Sequence, residues 1–276
     1  MVYDYMSGLV FDIETTGFPD RVGWNNYYPP TDLSKYSKSR VVSVSYAVLG
    51  EDYDITQSGS HIIKRNGFAI PNSNFHGITD EMSDKSGITI EKLALEMEKV
   101  IRDNNITTLI AHNILFDFNV MASEFHRNDC RAVFEILCNL DKYCTCENDG
   151  IKKMVGLKVK AGRKYVTKSP KLDELYKFFF DREMKNPHDS MWDVRNLCEC
   201  LKELYNRKAT SIPRLVDPIT KSLATSTNSC PGDMPIDASK YRIYTSNDLR
   251  RLCKERGINH TGKSQELKER LAQSEI

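Results

Sequence analysis

Four carboxylates and one histidine lie along the chain in an order that suits phosphodiester hydrolysis. Asp12 and Glu14 lie in FDIETTG, Asp117 in AHNILFDF, and His188 and Asp193 in HDSMWD. Oxygen ligands of this kind favour Mg²⁺ or Mn²⁺ over zinc. Together with a histidine that can accept a proton near neutral pH, two such ions would supply what the hydrolysis needs.

The sequence predicts that Asp12 and Glu14 lie on a short buried strand. An apolar, partly β-branched run surrounds them: Val10, Phe11 and Ile13. Residues two apart in a strand share a face, so we expect both carboxylates to point the same way. Two buried acids repel each other and lose hydration, which favours a bound cation. The alternative is a pair of idle, solvated acids at a strand end.

Helices are predicted to carry the other two carboxylates. A second apolar run, ITTLIAHN, precedes a helical pattern that puts Asp117 in the first turn of a helix. A purely structural alternative for Asp117 is helix capping or interaction with the helix dipole. His188 precedes a helix with an apolar stripe, and Asp193 lies one turn inside that helix. The alternative for His188 is an ordinary loop residue, but its place five residues before Asp193 favours a catalytic role.

These segments resemble, in order and content, the motifs of the DEDDh 3′ to 5′ exonucleases, the group of the proofreading subunit of bacterial replicases. The resemblance covers roughly residues 7–205. FDIETTG is similar to the first motif, NILFD at 113–117 to the second, and HDSMWD to the histidine form of the third, since no Tyr lies three residues before an Asp there. FHGITDEM at 75–82 and KLDELYKFFF at 171–180 resemble two lesser signatures. Residues 142–146 depart from the Asp-Thr pair that many relatives carry after the second motif.

The resemblance implies an α/β fold of the ribonuclease H-like type, with a mixed β-sheet flanked by helices. It implies that four carboxylates hold two Mg²⁺ or Mn²⁺ ions: Asp12, Glu14, Asp117 and Asp193. His188 would then take the proton from the attacking water. By the same resemblance, substrate-binding residues are expected at Thr15, Thr16, His112 and Asn113.

Patterning predicts elements in the order strand, strand, strand, helix, strand, helix, and later two more helices. RVVSVSYAVLG at 40–50 and SHIIKRNGF at 60–68 are the second and third strands, and EKLALEMEKVIRDNN at 91–105 is the first helix. The segment between Gly17 and Arg40 is a long aromatic loop. It is either a packed surface loop or a surface on which unpaired bases stack.

Length and composition predict one main domain with an appendage. The chain has 276 residues, of which 40% are hydrophobic and 28% charged, as in ordinary soluble globular proteins. No apolar run approaches the roughly 18 residues of a membrane span, and no basic, apolar leader begins the chain. Eight irregularly spaced cysteines are expected to be buried or free thiols. We therefore expect an intracellular, reducing location, cytoplasm or nucleus, without secretion or membrane association.

Charge is nearly balanced overall but not locally. The net charge is +1, yet the segment 151–171 holds eight basic residues and no acidic residue. Such a stretch is either a solvated flexible loop or a surface that holds a phosphate backbone near the site.

The last part of the chain has two short amphipathic helical patterns: LRRLCKERGI at 249–258, and the residues from Leu267 to Leu271 after Gly262 and Lys263. These residues, which include Gly257, resemble a SAP module, a helix-extended-helix unit that binds DNA in many proteins. Residues 208–240 are rich in Ser, Thr and Pro and are predicted to be a flexible linker between a domain at 1–207 and a module at 241–276. Gly257 is expected to end the first helix in the left-handed region. Four residues are expected to contact phosphate: Lys263, Arg250, Arg251 and Lys254. The alternative is a helix pair that docks on protein.

The sequence thus predicts a metal-dependent 3′ to 5′ exonuclease of DNA that releases nucleoside 5′-monophosphates. One alternative is a 3′ to 5′ exoribonuclease that trims RNA ends, and another is a catalytically silent scaffold that binds nucleic acid. DNA is favoured over RNA as the partner. A DNA polymerase, or a replication or repair complex, is a further expected partner.

Overall fold

The computed structural model describes residues 5–23, 25–209, 214–215, 249–250, 253–254 and 257–273. The strands are β1 (Tyr5–Met6), β2 (Gly8–Thr15), β3 (Arg21–Gly23), β4 (Asn26–Tyr27), β5 (Val41–Leu49), β6 (Ile55–Ile62), β7 (Thr108–Ala111), β8 (Asp141–Cys144), β9 (Lys158–Ala161), β10 (Lys164–Thr167) and β11 (Arg214–Leu215). The helices are α1 (Ser73–His76), α2 (Asp80–Ser86), α3 (Ile90–Asp103), α4 (Ile114–Arg127), α5 (Arg131–Asn139), α6 (Asp149–Val155), α7 (Leu172–Phe180), α8 (Ser190–Asn206) and α9 (Ser264–Gln273). A 3₁₀ turn spans Leu33–Tyr36.

A mixed five-stranded sheet lies at the centre, in the order β6, β5, β2, β7, β8. β2, β5 and β6 pair antiparallel; a turn at residues 50–54 joins β5 to β6, whereas the long segment 16–40 joins β2 to β5. β7 and β8 continue the sheet parallel to β2, as expected when helices make the crossovers. The predicted mixed sheet is therefore present.

Helices cover both faces of this sheet. One core joins alternate residues of β2 to the apolar sides of α3, α4 and α5; its members include Leu9, Phe11, Met97, Phe118 and Leu137. A second core joins Val10 of β2 and Ile110 of β7 to α7 and α8 on the other face. The strand alternation read from the sequence thus divides β2 between two cores.

The predicted helices form where periodicity and caps coincide. α3 begins after Thr89, whose side chain accepts a hydrogen bond from the Lys92 amide, and its apolar stripe is buried. α4 is tied to the sheet by an ion pair between Glu124 and Arg40, the residue before β5. α4 and α8 also lie where they were predicted.

The third strand lies earlier than predicted. It spans 55–62 rather than 60–68, because a turn at residues 50–54 reverses the chain directly after β5. Gly50 donates to the Asp54 carbonyl and Tyr53 to the Gly50 carbonyl in this turn. Among the elements that were not predicted from the pattern are α2, α5, α6, β8 and the β9–β10 hairpin.

Part of the predicted linker is a strand. β11, at 214–215, pairs in parallel with β1 at 5–6. The chain therefore returns to the N-terminal segment after α8, and the bounds of the linker at 208–240 stay a prediction. The rest of the predicted linker, apart from residues 208–209, lies outside the described residues.

The C-terminal part has a small core of its own. Residues 249–250 and 253–254 are helical, and α9 follows. Four buried side chains meet there, with Ile258 against them: Leu249, Cys253, Leu267 and Leu271. Gly257 has a φ of 68°, in the left-handed region, as predicted.

Two general features of the described residues bear on the predictions above. None of the helices in the described ranges is both long and apolar enough to span a bilayer. Seven cysteines are described, and none of these seven forms a disulfide.

Candidate active site

Strand β2 presents Asp12 and Glu14 on the sheet face that α7 and α8 cover. Val10, which precedes them on that face, packs against the apolar side of α8. Antiparallel pairing sets Asp12 opposite Ser45 and Glu14 opposite Ser43 on β5. The two carboxylates therefore share a face, as the alternation predicts.

Helix α4 brings Asp117 against the same stretch of β2. The helix begins after Asn113, and Asp117 lies in its first turn as predicted. The buried carboxylate of Asp117 accepts a hydrogen bond from the backbone N–H of Ile13. Ile13 is the residue between Asp12 and Glu14, so this contact joins the third carboxylate to the first two.

Three serine hydroxyls, which we call the serine latch, fasten α8 to the sheet: Ser43, Ser45 and Ser190. The Ser190 hydroxyl oxygen lies 3.2 Å from that of Ser43 and 2.7 Å from that of Ser45. Because Ser43 and Ser45 are the cross-strand partners of Glu14 and Asp12, the latch sets the first residue of α8 beside the acids. Asp193 follows one turn later on the same helix.

His188 lies in the loop before α8, with a left-handed φ of 68°. Its backbone N–H donates to Asp193 Oδ2 at 3.2 Å, and its ring packs on Phe75 with centroids 4.8 Å apart. One ligand atom from each of Glu14, His188 and Asp193 lies within 4.8 Å of the other two. The structure thus brings the predicted histidine to two of the predicted carboxylates, and Asp12 and Asp117 adjoin this trio.

Burial, with repulsion from neighbouring charges, raises the pKa of all four carboxylates. The pKa of Glu14 rises to about 8, first through burial and then through the charges of Asp193 and Asp117. Burial likewise raises the pKa of Asp117 to about 8, although the Ile13 amide opposes this change. The pKa of Asp193 rises to about 6, and that of Asp12 lies well above its ordinary value, in both cases mainly through burial.

Asp189 is a fifth acid of this group that the sequence did not single out. It is the N-cap of α8, and its carboxylate accepts hydrogen bonds from the amides of Met191 and Trp192. Its charge also raises the pKa of Glu14 and Asp193. The available signal was its position, because an Asp directly before an apolar helical stripe is a typical N-cap.

The chemistry of the group fits a divalent cation. Asp193 Oδ1 is buried, and it has no hydrogen-bond partner among the described residues. A cation would satisfy this oxygen and offset the repulsion among the carboxylates. The carboxylate oxygens suit ions such as Mg²⁺ and Mn²⁺, which leaves the His188 ring available as a base.

Two of the predicted substrate-binding residues direct their hydroxyls into the protein. Thr15 Oγ1 donates to the carbonyl of Gly17 at 2.8 Å. Thr16 Oγ1 donates to the carbonyl of Lys38 and accepts from the amide of Arg40. These hydroxyls shape the end of β2, and a contact between them and a substrate stays a prediction.

His112 and Asn113 differ in what they leave available. The ring nitrogens of His112 lie 2.9 Å from Thr145 Oγ1 and 2.9 Å from the Pro170 carbonyl, so neither is free for a substrate. Burial lowers the pKa of His112 to about 4, which keeps the ring neutral. Asn113 makes a side-chain hydrogen bond with Tyr27, at the first turn of the helix that carries Asp117.

Aromatic rings lie next to Asp117. The rings of Phe18 and Tyr27 pack on Phe116, with centroids 5.7 Å and 6.4 Å from it. Phe18 is 74% exposed. Part of the aromatic loop predicted between Gly17 and Arg40 therefore lies beside the acids, although Trp24 is outside the described residues.

The predicted phosphate contacts of the C-terminal module are only partly available. Lys263 and Lys254 are exposed. The backbone N–H of Lys263 already donates to the Glu266 carboxylate, and Arg250 donates to the carbonyl of Gly262. Arg251 lies outside the described residues.

Comparison with known proteins identifies the C-terminal module and the fold. The family model of the SAP domain matches residues 244–275, so the predicted SAP domain is confirmed. No curated protein matches the chain at a significant level. Among solved structures, E. coli exonuclease I in complex with a dA16 oligonucleotide is 17% identical, with a TM-score of 0.55, over 74% of this chain and 41% of its own.

Other structures of that enzyme agree. Its complex with a dT13 oligonucleotide is 18% identical, with a TM-score of 0.54, over 81% of this chain and 44% of its own. A zinc-bound form of its complex with single-stranded DNA is 17% identical, with a TM-score of 0.54, over 74% of this chain and 41% of its own. The chain thus spans less than half the length of these structures. At this identity the likeness shows the fold, and the predicted ribonuclease H-like sheet with flanking helices is confirmed.

Proposed function

We propose that the protein is a metal-dependent 3′ to 5′ exonuclease of DNA that releases nucleoside 5′-monophosphates. The observation that carries the proposal is the convergence of five side chains from β2, α4 and the start of α8: Asp12, Glu14, Asp117, His188 and Asp193. Repelling, partly buried carboxylates lower stability, so a bound cation gives a physical reason for their presence. The fold of solved exonuclease complexes with DNA oligonucleotides is consistent with this proposal.

Each residue has a role that its surroundings suit. Four carboxylates would hold two divalent ions, Mg²⁺ or Mn²⁺: Asp12, Glu14, Asp117 and Asp193. When bound, such ions lower the pKa of water and stabilise negative charge on a leaving oxygen. His188 would take the proton from the attacking water, because its ring is exposed, lies close to Glu14 and Asp193, and is kept in place by Phe75.

The surroundings of the acids suit a single strand. Exposed aromatic rings such as Phe18, which packs on Phe116 next to Asp117, can stack on an unpaired base. The SAP domain would bind the same nucleic acid at a distance. The proposal includes an intracellular location and work beside a polymerase or repair complex. It also extends the nuclease domain to residue 215, because β11 pairs with β1.

The test is degradation of matched single-stranded DNA and RNA oligonucleotides labelled at the 5′ end, with Mg²⁺ or Mn²⁺. We expect labelled DNA to shorten stepwise from its 3′ end and mononucleotides to appear. Asp12→Asn and Asp193→Asn should each lower the rate by more than a hundredfold. The matched control is Asp103→Asn, because that exposed acid pairs with Lys99 on α3.

Three outcomes would contradict the proposal. Activity of either active-site variant within tenfold of wild type would refute the metal-ligand roles. Faster loss of RNA than of DNA would favour the exoribonuclease. Tight binding of both oligonucleotides without hydrolysis would favour the silent scaffold.

A further inference from the structure

The β9–β10 hairpin, which we call the basic hairpin, stands apart from the central sheet. Its strands pair antiparallel across a two-residue turn in which Gly162 has a φ of 62°. Every residue of both strands is exposed. Both faces of the hairpin are therefore available to a partner. A partner that covers one face would also stabilise the hairpin, because an isolated two-stranded ribbon is only marginally stable in water.

The register gives the two faces of the basic hairpin different chemistry. Lys158 pairs with Thr167 and Lys160 with Tyr165, so these four side chains share one face, the cationic face. The other face, the valine face, holds Val159, Ala161, Lys164 and Val166. Tyr165 is 71% exposed between its lysine neighbours. The cationic face therefore combines positive charge with an aromatic ring open to solvent.

The positive charge of the basic hairpin is not neutralised by the protein. Lys152 and Lys168, which flank it, form ion pairs with Glu147 and Glu174. In the described part of the chain, no carboxylate pairs with the four cations of the hairpin: Lys158, Lys160, Arg163 and Lys164. Such a surface is complementary to a polyanion.

The base of the basic hairpin lies at the active-site edge of the sheet. The amide of Lys168 closes the base by donating to the carbonyl of Leu157 at 2.8 Å. Two residues later, the carbonyl of Pro170 lies 2.9 Å from Nε2 of His112, which directly precedes Asn113 and the helix of Asp117. Each strand of the hairpin is four residues long, so its tip reaches about 13 Å from the base.

We propose that the cationic face of the basic hairpin binds the backbone of a single-stranded nucleic acid whose 3′ end lies among the carboxylates. Lys158 and Lys160 contact phosphates, and Tyr165 stacks on an unpaired base. The choice of strand and its polarity rest on the proposed exonuclease function. The unpaired charge, the exposed ring and the position of the base beside His112 do not depend on it.

The test is binding of a 5′-labelled 20-nucleotide single strand to the full chain in EDTA, so that no hydrolysis occurs, followed by fluorescence anisotropy across a salt series. Lys158→Ala/Lys160→Ala should weaken binding about tenfold and lower the salt slope by about 1.4, the value for two single-strand phosphate contacts. Tyr165→Ala should weaken binding at least about fivefold with the salt slope unchanged.

The matched control removes the same charge from elsewhere on the hairpin. Arg163→Ala/Lys164→Ala takes two cations from the turn and the valine face, and should weaken binding less than about threefold. Equal losses in the two double variants would overturn the assignment to the cationic face. Circular dichroism, and turnover of p-nitrophenyl thymidine 5′-monophosphate, which carries a single nucleotide, should be the same for all variants.

The two proposals fail in different ways. If the Lys158/Lys160 and Tyr165 variants bind the strand as wild type does, the hairpin proposal is wrong, whatever the activity, and the cationic face serves an acidic protein surface or none. If these variants lose binding while the wild type hydrolyses nothing with either ion, the exonuclease proposal is wrong and the hairpin proposal stands.

Discussion

Burial, and then the charges of Asp117 and Asp193, raise the pKa values of Asp12 and Glu14, so the metal-free protein keeps protons on carboxyl groups at neutral pH. Unfolding would release these protons, because the ordinary pKa values are 3.8 for Asp and 4.5 for Glu. The folded state therefore binds more protons than the unfolded state between pH 4 and pH 8. These groups stabilise the fold at the acidic end of that range and lose the effect as pH rises.

The first prediction follows from this loss of stability with rising pH. In EDTA, Asp117→Asn should match the wild type near pH 5, where the buried Asp117 is protonated, and exceed it at pH 8 by about 1 kcal/mol, or roughly 3 °C in Tm. Thermal unfolding from pH 5 to pH 8 measures the difference, with Asp103→Asn as the control. Adding Mg²⁺ should raise the Tm of the wild type more than that of the variant. If the stability of Asp117→Asn minus that of the wild type falls between pH 5 and pH 8, this account is wrong.

The second prediction concerns His188, whose backbone and ring have separate tasks. Asn tolerates positive φ better than Ala, so His188→Asn should keep the amide bond to Asp193 and the fold. His188→Asn and His188→Ala should both lower the single-turnover rate about 10²- to 10⁴-fold at neutral pH. The rate should partly recover at high pH as hydroxide replaces the base. His188→Ala should also be slightly less stable. An unchanged rate in His188→Asn would leave the residue with a structural role alone.

At the scale of elements, the serine latch fixes the start of α8 against the central sheet. Ser190 joins α8 to β5 at the two positions that pair with Glu14 and Asp12. Loss of this contact would leave the buried Ser43 hydroxyl without its partner and let the start of α8 shift against β2.

The third prediction is that Ser190→Ala lowers stability by about 1 to 2 kcal/mol and the hydrolysis rate by about tenfold or more. Its matched control is Ser123→Ala, which removes a buried hydroxyl that bonds only within α4. We expect that control to keep the rate within twofold, although its Tm should fall. Equal rates for the two variants would mean that the latch does not position Asp193. Rates on a short oligonucleotide and chemical denaturation give both readouts.

Sequence patterns predicted the elements that carry the acids because each has a long, regular apolar period. β2, α3, α4 and α8 all lie where alternation or helical spacing put them. Short elements with mixed composition were missed: β8 has four residues, and the basic hairpin consists largely of cations. The serine latch could not be predicted either, since its contact spans 145 residues and depends on tertiary packing.

For the whole molecule, the near-zero net charge conceals opposite local charges. Acids gather at the active site, and cations gather on residues 151–171. Residues 241–276, which include the SAP domain at 244–275, add eight basic and five acidic residues. Attraction of nucleic acid therefore depends on separate local surfaces, each with its own salt dependence.

The fourth prediction separates these units by truncation. Ending the chain after residue 220 keeps β11 paired with β1, whereas ending it at Arg207 removes that strand. The chain that ends after residue 220 should keep the turnover of short oligonucleotides. It should bind long DNA more weakly and with a flatter salt dependence than the full chain, because a tethered second site raises the local substrate concentration. Affinity for long DNA across a salt series tests this. Superimposable curves for the full chain and the truncation would assign the SAP domain to a protein contact.

The exposure of the basic hairpin has a further consequence, for limited proteolysis. Trypsin cleaves after Lys and Arg in accessible backbone, and the four cations of the hairpin lie where no packed surface shields the chain. The fragments before and after the cut should stay together, since α7 and α8 pack on Val10 of β2 and Ile110 of β7. The nicked protein would migrate as two bands under denaturing conditions and as one particle in solution. A bound oligonucleotide should slow the cut in proportion to occupancy, so the appearance of the two bands over time would serve as a footprint of the strand.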